Sequence, residues 1–303
     1  MKQSDKATLI GLIAIVLWST IVGLIRSVSD SLGVTGGAAL IYTLASVFLL
    51  LSVGWVRLRD FPRRYLIWGS VLFVCYELCL ALSIGYAHNS QQAIEVGMVN
   101  YLWPTFTIVA AILFNKQKAN GLLAPGLLLS MMGISWILGG EQGLSQHNIW
   151  LNVQDNPLSY GLAFSGALIW AGYSTMTARI AQGKNGITLF FMLTAAALWV
   201  KYLVQGAPAM TFTVPALVYL LLAAMAMGFG YAAWNVGILH GNVTILAGAS
   251  YFIPVFSAAL STVLLQASLT LTFWQGSAMV CSGALLCWLA IRVRKPRSLK
   301  SAA

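Results

Sequence analysis

The chain has 303 residues, 59% of them apolar and only 8% charged, where an ordinary soluble domain carries roughly 25% charged residues. Seven acids and seventeen bases cannot furnish the polar rim that a soluble fold shows to water, which excludes a soluble enzyme and a disordered chain. The formal net charge of +10 raises nucleic acid or anionic lipid as partners, and the positions of the bases decide the matter.

In chain order, ten apolar runs with few or no charges occupy 8–25, 37–56, 66–87, 93–114, 121–139, 158–179, 186–204, 216–238, 243–265 and 273–291. Each approaches the length that spans about 30 Å of hydrocarbon at about 1.5 Å per residue. Unpaired backbone groups are costly in lipid, and barrel strands would be about half as long and alternate apolar with polar, so the runs predict an all-α integral membrane protein with ten transmembrane helices. The first run follows Lys2 and Lys6 as a signal peptide would, yet continues to Arg26 with no clear small-residue cleavage site. It is read as a retained helix.

With the N-terminus taken as cytoplasmic, the inner segments hold Lys2, Lys6, Arg57, Arg59, Arg63, Arg64, Lys116, Lys118, Arg179 and Lys184, and a basic tail adds Arg292, Arg294, Lys295, Arg297 and Lys300. The outer side receives only Arg26 and Lys201. This bias follows the positive-inside rule and places both termini in the cytoplasm. Topology thus accounts for the charge, and nucleic acid is excluded as a partner in favour of the lipid bilayer.

Other motifs carry no chemistry. Cys75, Cys79, Cys281 and Cys287 lie inside apolar runs and behave as small hydrophobes, so neither a disulfide framework nor a metal site is expected. Gly228-Phe229-Gly230-Tyr231-Ala232-Ala233 matches a loose dinucleotide-binding pattern but sits in a membrane run, where it permits close helix contact. Asn242-Val243-Thr244 is a sequon on the cytoplasmic side. No cofactor is implied.

The chain repeats itself. At an offset of 150, Tyr101 and Pro104 fall on Tyr251 and Pro254, Gly126 and Gly133 on Gly276 and Gly283, and Gly36 on Gly186. At 152, Trp18 falls on Trp170 and His88 on His240. This order predicts a duplication: residues 1–140 form one five-helix unit, 141–157 a periplasmic connection, and 158–303 a second unit ending in the basic tail. An odd number of crossings per unit inverts the second, and two inverted five-helix repeats around a central cavity are the design of secondary transporters.

That pattern, with Leu17-Trp18-Ser19-Thr20, the block from Glu95 to Pro104, and Tyr231 to Asn242, resembles the drug/metabolite transporter superfamily. The likeness is to two tandem EamA units, and most closely to the superfamily's aromatic amino acid exporters. The resemblance covers nearly the whole chain. It implies export of aromatic and other neutral amino acids, as small-molecule substrates, across a bacterial inner membrane; the chain is expected to be a monomer. The alternative is proton-coupled efflux of cationic aromatic drugs such as methyl viologen. Small relatives that do this carry a Glu in their first helix, whereas the run from Thr8 to Ile25 has no acid.

The residues point to a cavity at mid-membrane. Trp18, Trp103 and Trp170 lie near the middle of their runs and not at the interfaces that Trp usually prefers; with Tyr76, Tyr101, Tyr173, Trp234 and Tyr251 they form either helix packing or the flat walls of an aromatic site. Asn100, Asn235, Ser19, Thr20 and Ser250 are candidate polar partners, with back-bonding to the preceding turn as the competing role for the hydroxyls. Pro104 and Pro254 are expected to bend their helices and act as gates. Glu77 is the carboxylate nearest the middle of a run. Its three competing roles are substrate contact, proton exchange and a structural tie. His88 and His240 are expected at surfaces or helix caps. No paired acids, H-E-x-x-H spacing or Ser/His pair suggests catalysis, and no charged ring suggests a channel.

Overall fold

The computed structural model describes residues 3–55 and 57–291; Lys2 and the basic tail from Arg292 to Lys300 lie outside the described residues. Among those described there are fourteen α-helices and no strand: α1 (Gln3–Ser19), α2 (Ile21–Leu32), α3 (Val34–Ser52), α4 (Arg63–Gly85), α5 (Ser90–Asn100), α6 (Trp103–Asn115), α7 (Leu123–Leu138), α8 (Gln146–Asp155), α9 (Pro157–Ile180), α10 (Ile187–Val204), α11 (Val214–His240), α12 (Val243–Ser250), α13 (Ile253–Leu265) and α14 (Leu271–Ile291). Every apolar run falls on helix. By length and composition six helical segments suffice to cross a membrane: α3, α4, α5 with α6, α10, α11 and α14. The pair α1 and α2, bent by 41°, makes a seventh.

Three runs are broken in mid-course, and local chemistry explains each break. Pro104 and Pro254 are the second residues of α6 and α13. A proline cannot donate to the carbonyl four residues back and crowds it, and α5 and α12 end at those residues, Asn100 and Ser250. Within the first turn of the next helix the missing N–H costs nothing. The first run has no proline. There Ser19 Oγ donates to Ile15 O at 2.7 Å and Thr20 Oγ1 to Leu17 O at 2.7 Å, the back-bonding that bends helices.

The connection 141–157 is more ordered than its polarity suggested. It carries α8, whose N-terminus is capped by Ser145, while Asn156 accepts from Ser159 N at 3.1 Å to cap α9. Packing is pairwise: α1 lies on α11, α4 on α9, α3 on α10 and α7 on α14. The last pair approaches through glycine. A Cβ on Gly133 would stand 2.7 Å from Gly276 O, and one on Gly283 would stand 2.6 Å from Gly126 O. Any larger residue there must separate the backbones.

Candidate functional site

The three breaks meet. Ile21, Trp103 and Ile253, the first residues of α2, α6 and α13, all border one cavity of about 250 Å³. A helix's first turn carries N–H groups with no partner inside the helix and the positive end of its dipole, so three such ends converge on the cavity edge. The remaining wall comes from Trp18 of α1, Val22 of α2, Tyr76 and Leu80 of α4, Asn100 and Tyr101 at the end of α5, Trp170 and Ser174 of α9, and Met227, Tyr231 and Trp234 of α11.

Aromatic contacts bind this wall together. Trp18 lies edge-on to Tyr231 with ring centres 5.0 Å apart and 5.2 Å from Trp234. Trp170 is 4.5 Å from Tyr76, 6.0 Å from Trp103 and 6.5 Å from Tyr231. Tyr231 therefore stands between the two Trp residues that the sequence repeat equates. Asn100 is buried and donates Nδ2 to Ala163 O at 3.3 Å.

Seven of the fourteen sequence-selected residues thus surround the cavity: Trp18, Tyr76, Asn100, Tyr101, Trp103, Trp170 and Trp234. The other seven lie elsewhere. Ser19 is wholly buried and bonded to its own helix, as are the hydroxyls of Thr20 and Ser250. Tyr173 packs among Phe73, Phe190 and Trp170. Asn235 opens on a different groove, beside Ile10 and His240. Tyr251 sits at the α12–α13 break with its ring 6.0 Å from Trp288. Glu77 lies behind the wall, wholly buried, where Tyr42 donates to Oε2 at 2.6 Å and Tyr231 to Oε1 at 2.8 Å. Sequence reasoning passed over Ile21, Val22, Leu80, Ser174, Met227, Tyr231 and Ile253. Helical spacing offered a signal for several: Tyr231 is three before Trp234, and Leu80 and Ser174 are four after Tyr76 and Trp170.

A second polar layer joins α5 to α8 and α9. Glu95, nearly buried, accepts from Gln91 Nε2 at 3.0 Å, Asn152 Nδ2 at 3.0 Å and the Tyr160 hydroxyl at 2.9 Å. Gln92 donates to Asp155 Oδ2 at 3.0 Å, and His88 Nδ1 lies 3.0 Å from the same oxygen. Those two contacts, Gln92 first, hold the Asp155 carboxyl below its ordinary value. Arg26 pairs with Asp30 at 2.7 Å and donates to the Ala87 carbonyl, tying α2 to the end of α4. Among the described residues no group of three or more His, Cys, Asp or Glu is placed to hold a metal ion.

Comparison with known proteins identifies this architecture. Residues 157–289 match the EamA-like transporter family. Two curated proteins named aromatic amino acid exporter YddG are each 61% identical: that of Salmonella typhimurium over 96% of this chain and 99% of its own, and that of Escherichia coli over 95% and 98%. A third of the same name, from Ancylobacter novellus, is 26% identical over 95% of this chain and 99% of its own. A solved crystal structure with 24% identity superposes with a TM-score of 0.68 over 95% of this chain and 99% of that one, a likeness of fold. The chain therefore belongs to the EamA-like transporter family, in the YddG-type branch of the drug/metabolite transporter superfamily, and is a multi-pass membrane transporter and not an enzyme.

Proposed function

We propose that this protein exports aromatic and other neutral amino acids from the cytoplasm across the bacterial inner membrane by alternating access. The observation that carries the reading is the aromatic cavity at the three helix breaks, in a chain 61% identical to proteins named aromatic amino acid exporters. Its volume is about 250 Å³, and the relatives' names give no support to efflux of cationic drugs. The first turns of α2, α6 and α13 offer a positive pole to a carboxylate, and the rings accept an aromatic side chain by offset or edge contact.

Ten crossings follow when α1–α2, α5–α6 and α12–α13 each count as one span and α3, α4, α7, α9, α10, α11 and α14 as one apiece. Several features support two inverted units. The breaks at Pro104 and Pro254 lie 150 residues apart, and so do the left-handed pairs Gly33 and Gly183, at φ 75° and 74°, and Lys116 and Gln266, at φ 54° and 50°. Exchanging the units turns the α1–α11 contact into the α9–α4 contact and returns α7–α14 to itself. The family match begins at residue 157, where the second unit starts. The hinged halves at Pro104 and Pro254 are then the moving gates, and both termini are cytoplasmic.

Reconstitution in liposomes tests the reading. Labelled Phe and Trp should leave faster than methyl viologen. Methyl viologen flux with no flux of any amino acid would overturn the reading in favour of drug efflux.

A further inference from the structure

Glu77 is a buried acid with no base beside it among the described residues: both of its oxygens are met by phenols, Tyr42 at 2.6 Å and Tyr231 at 2.8 Å. An O–H···O contact of 2.6 Å is the length of a charge-assisted bond to a carboxylate. A phenol has one hydrogen to donate. Tyr231 gives its hydrogen to Glu77, away from the cavity it lines, so the oxygen retains only acceptor lone pairs. The neighbouring wall is aromatic, ring faces are negative, and among the described residues no Lys or Arg lines the cavity. The α4–α11 side of the cavity therefore favours a donor-rich cation over an anion.

We infer that Glu77, acting through Tyr231, is a positioning residue that selects substrates bearing an ammonium group. This deepens the amino acid export reading and rests on it: the ammonium docks toward Tyr231, and the carboxylate lies toward the first turns of α2, α6 and α13. Asn100 and the rings fix the plane between. Glu77 itself does not touch the substrate.

Binding to the purified full chain in lipid nanodiscs, read by intrinsic Trp fluorescence, tests this apart from transport. Three probes are compared: phenylalanine, phenethylamine, which lacks the carboxylate, and 3-phenylpropionate, which lacks the ammonium. Glu77→Gln keeps the shape and can still bond both phenols, but it carries no charge. It should weaken phenethylamine and phenylalanine at least tenfold and leave 3-phenylpropionate within twofold. Tyr231→Phe should move the three affinities in the same direction, and Glu77→Asp should restore part of the preference. An equal loss for all three probes would make Glu77 a structural tie, and no loss would leave it without a role in selection; either overturns the inference. If Glu77→Gln does not fold, the Tyr231→Phe ratios decide. Binding with the expected ratios but without flux in liposomes would overturn the export reading alone.

Discussion

Trp170 occupies the middle of the aromatic wall, within 6.5 Å of Phe73, Tyr76, Trp103, Tyr173 and Tyr231, and borders the cavity. An aromatic pair contributes about 0.5–1.5 kcal/mol beyond the area it buries. Trp170→Ala or Trp103→Ala should therefore weaken apparent affinity for Trp and Phe by about threefold to about tenfold while the amount of protein in the membrane changes little, because neither ring governs helix insertion. Unchanged transport per molecule would make these rings packing residues. Tyr42 plays a different part, since it is fully buried outside this cavity's lining and supplies the hydrogen to one oxygen of Glu77. Tyr42→Phe strips that partner from a fully buried acid, an omission that costs about 1–3 kcal/mol or more for a charge. The midpoint of thermal unfolding in detergent should fall clearly, and an unchanged midpoint would show that the acid finds another donor.

Helices meet here at the distances their glycines allow. Adding one methyl at Gly133 places it 2.7 Å from Gly276 O and 2.8 Å from Val280 N, both backbone atoms that cannot rotate away. Overpacking of this kind costs about 1–3 kcal/mol, so Gly133→Ala should lower the unfolding midpoint and the yield. Gly172→Ala, with open space at its Cβ, should not. At the α5–α8–α9 layer the Asp155 carboxyl is exposed and is held low by Gln92 and then His88, so its share of the stability is small. A lowered pKa in the folded state stabilises above the ordinary carboxylate value and is lost as protons return. Stability should stay level from pH 7 to pH 5 and decline below about pH 4, where an unperturbed Asp begins to protonate. Asp155→Asn should flatten part of that decline, and superimposed acid curves for the two proteins would exclude the contact as a contributor.

The elements were largely legible in the sequence because hydrocarbon length and proline chemistry are local: each run fell on helix, and the two matched prolines marked two of the three breaks. The break at Thr20 was less visible, since it rests on hydroxyls whose hydrogen bonds have alternatives, and α8 carries no apolar run to announce it. For the cavity, seven of the candidates came together on one wall, but azimuth round the helix was not legible. Asn235 is one residue past Trp234, about 100° round the helix, and so faces another groove. The partners of Glu77 could not be read at all, because Tyr42 and Tyr231 come from helices 35 and 154 residues away in sequence.

At the scale of the whole molecule the proposed ten-span arrangement turns on its shortest member. The helix α7 has 16 residues, about 24 Å at about 1.5 Å per residue, short of the ~30 Å hydrocarbon core. Its packing against α14, which has 21 residues, argues that it crosses: the two share a glycine-lined contact along the length of α7, and a helix lying at the surface could not keep that register with a spanning partner. The flanking segments agree, since Lys116 and Lys118 precede α7 while the 141–157 connection has no Lys or Arg. Single cysteines at Lys118 and Gln142, both exposed on either side of α7, test this with a membrane-impermeant maleimide. Native thiols interfere little, because Cys79, Cys281 and Cys287 are buried and Cys75 lies in the membrane-spanning helix α4, out of the reagent's reach. Gln142→Cys should label in intact cells, and Lys118→Cys only after the membrane is opened. Labelling of both from one side would mean that α7 does not cross. The chain would then have nine spans, and the two units could not be inverted copies of each other.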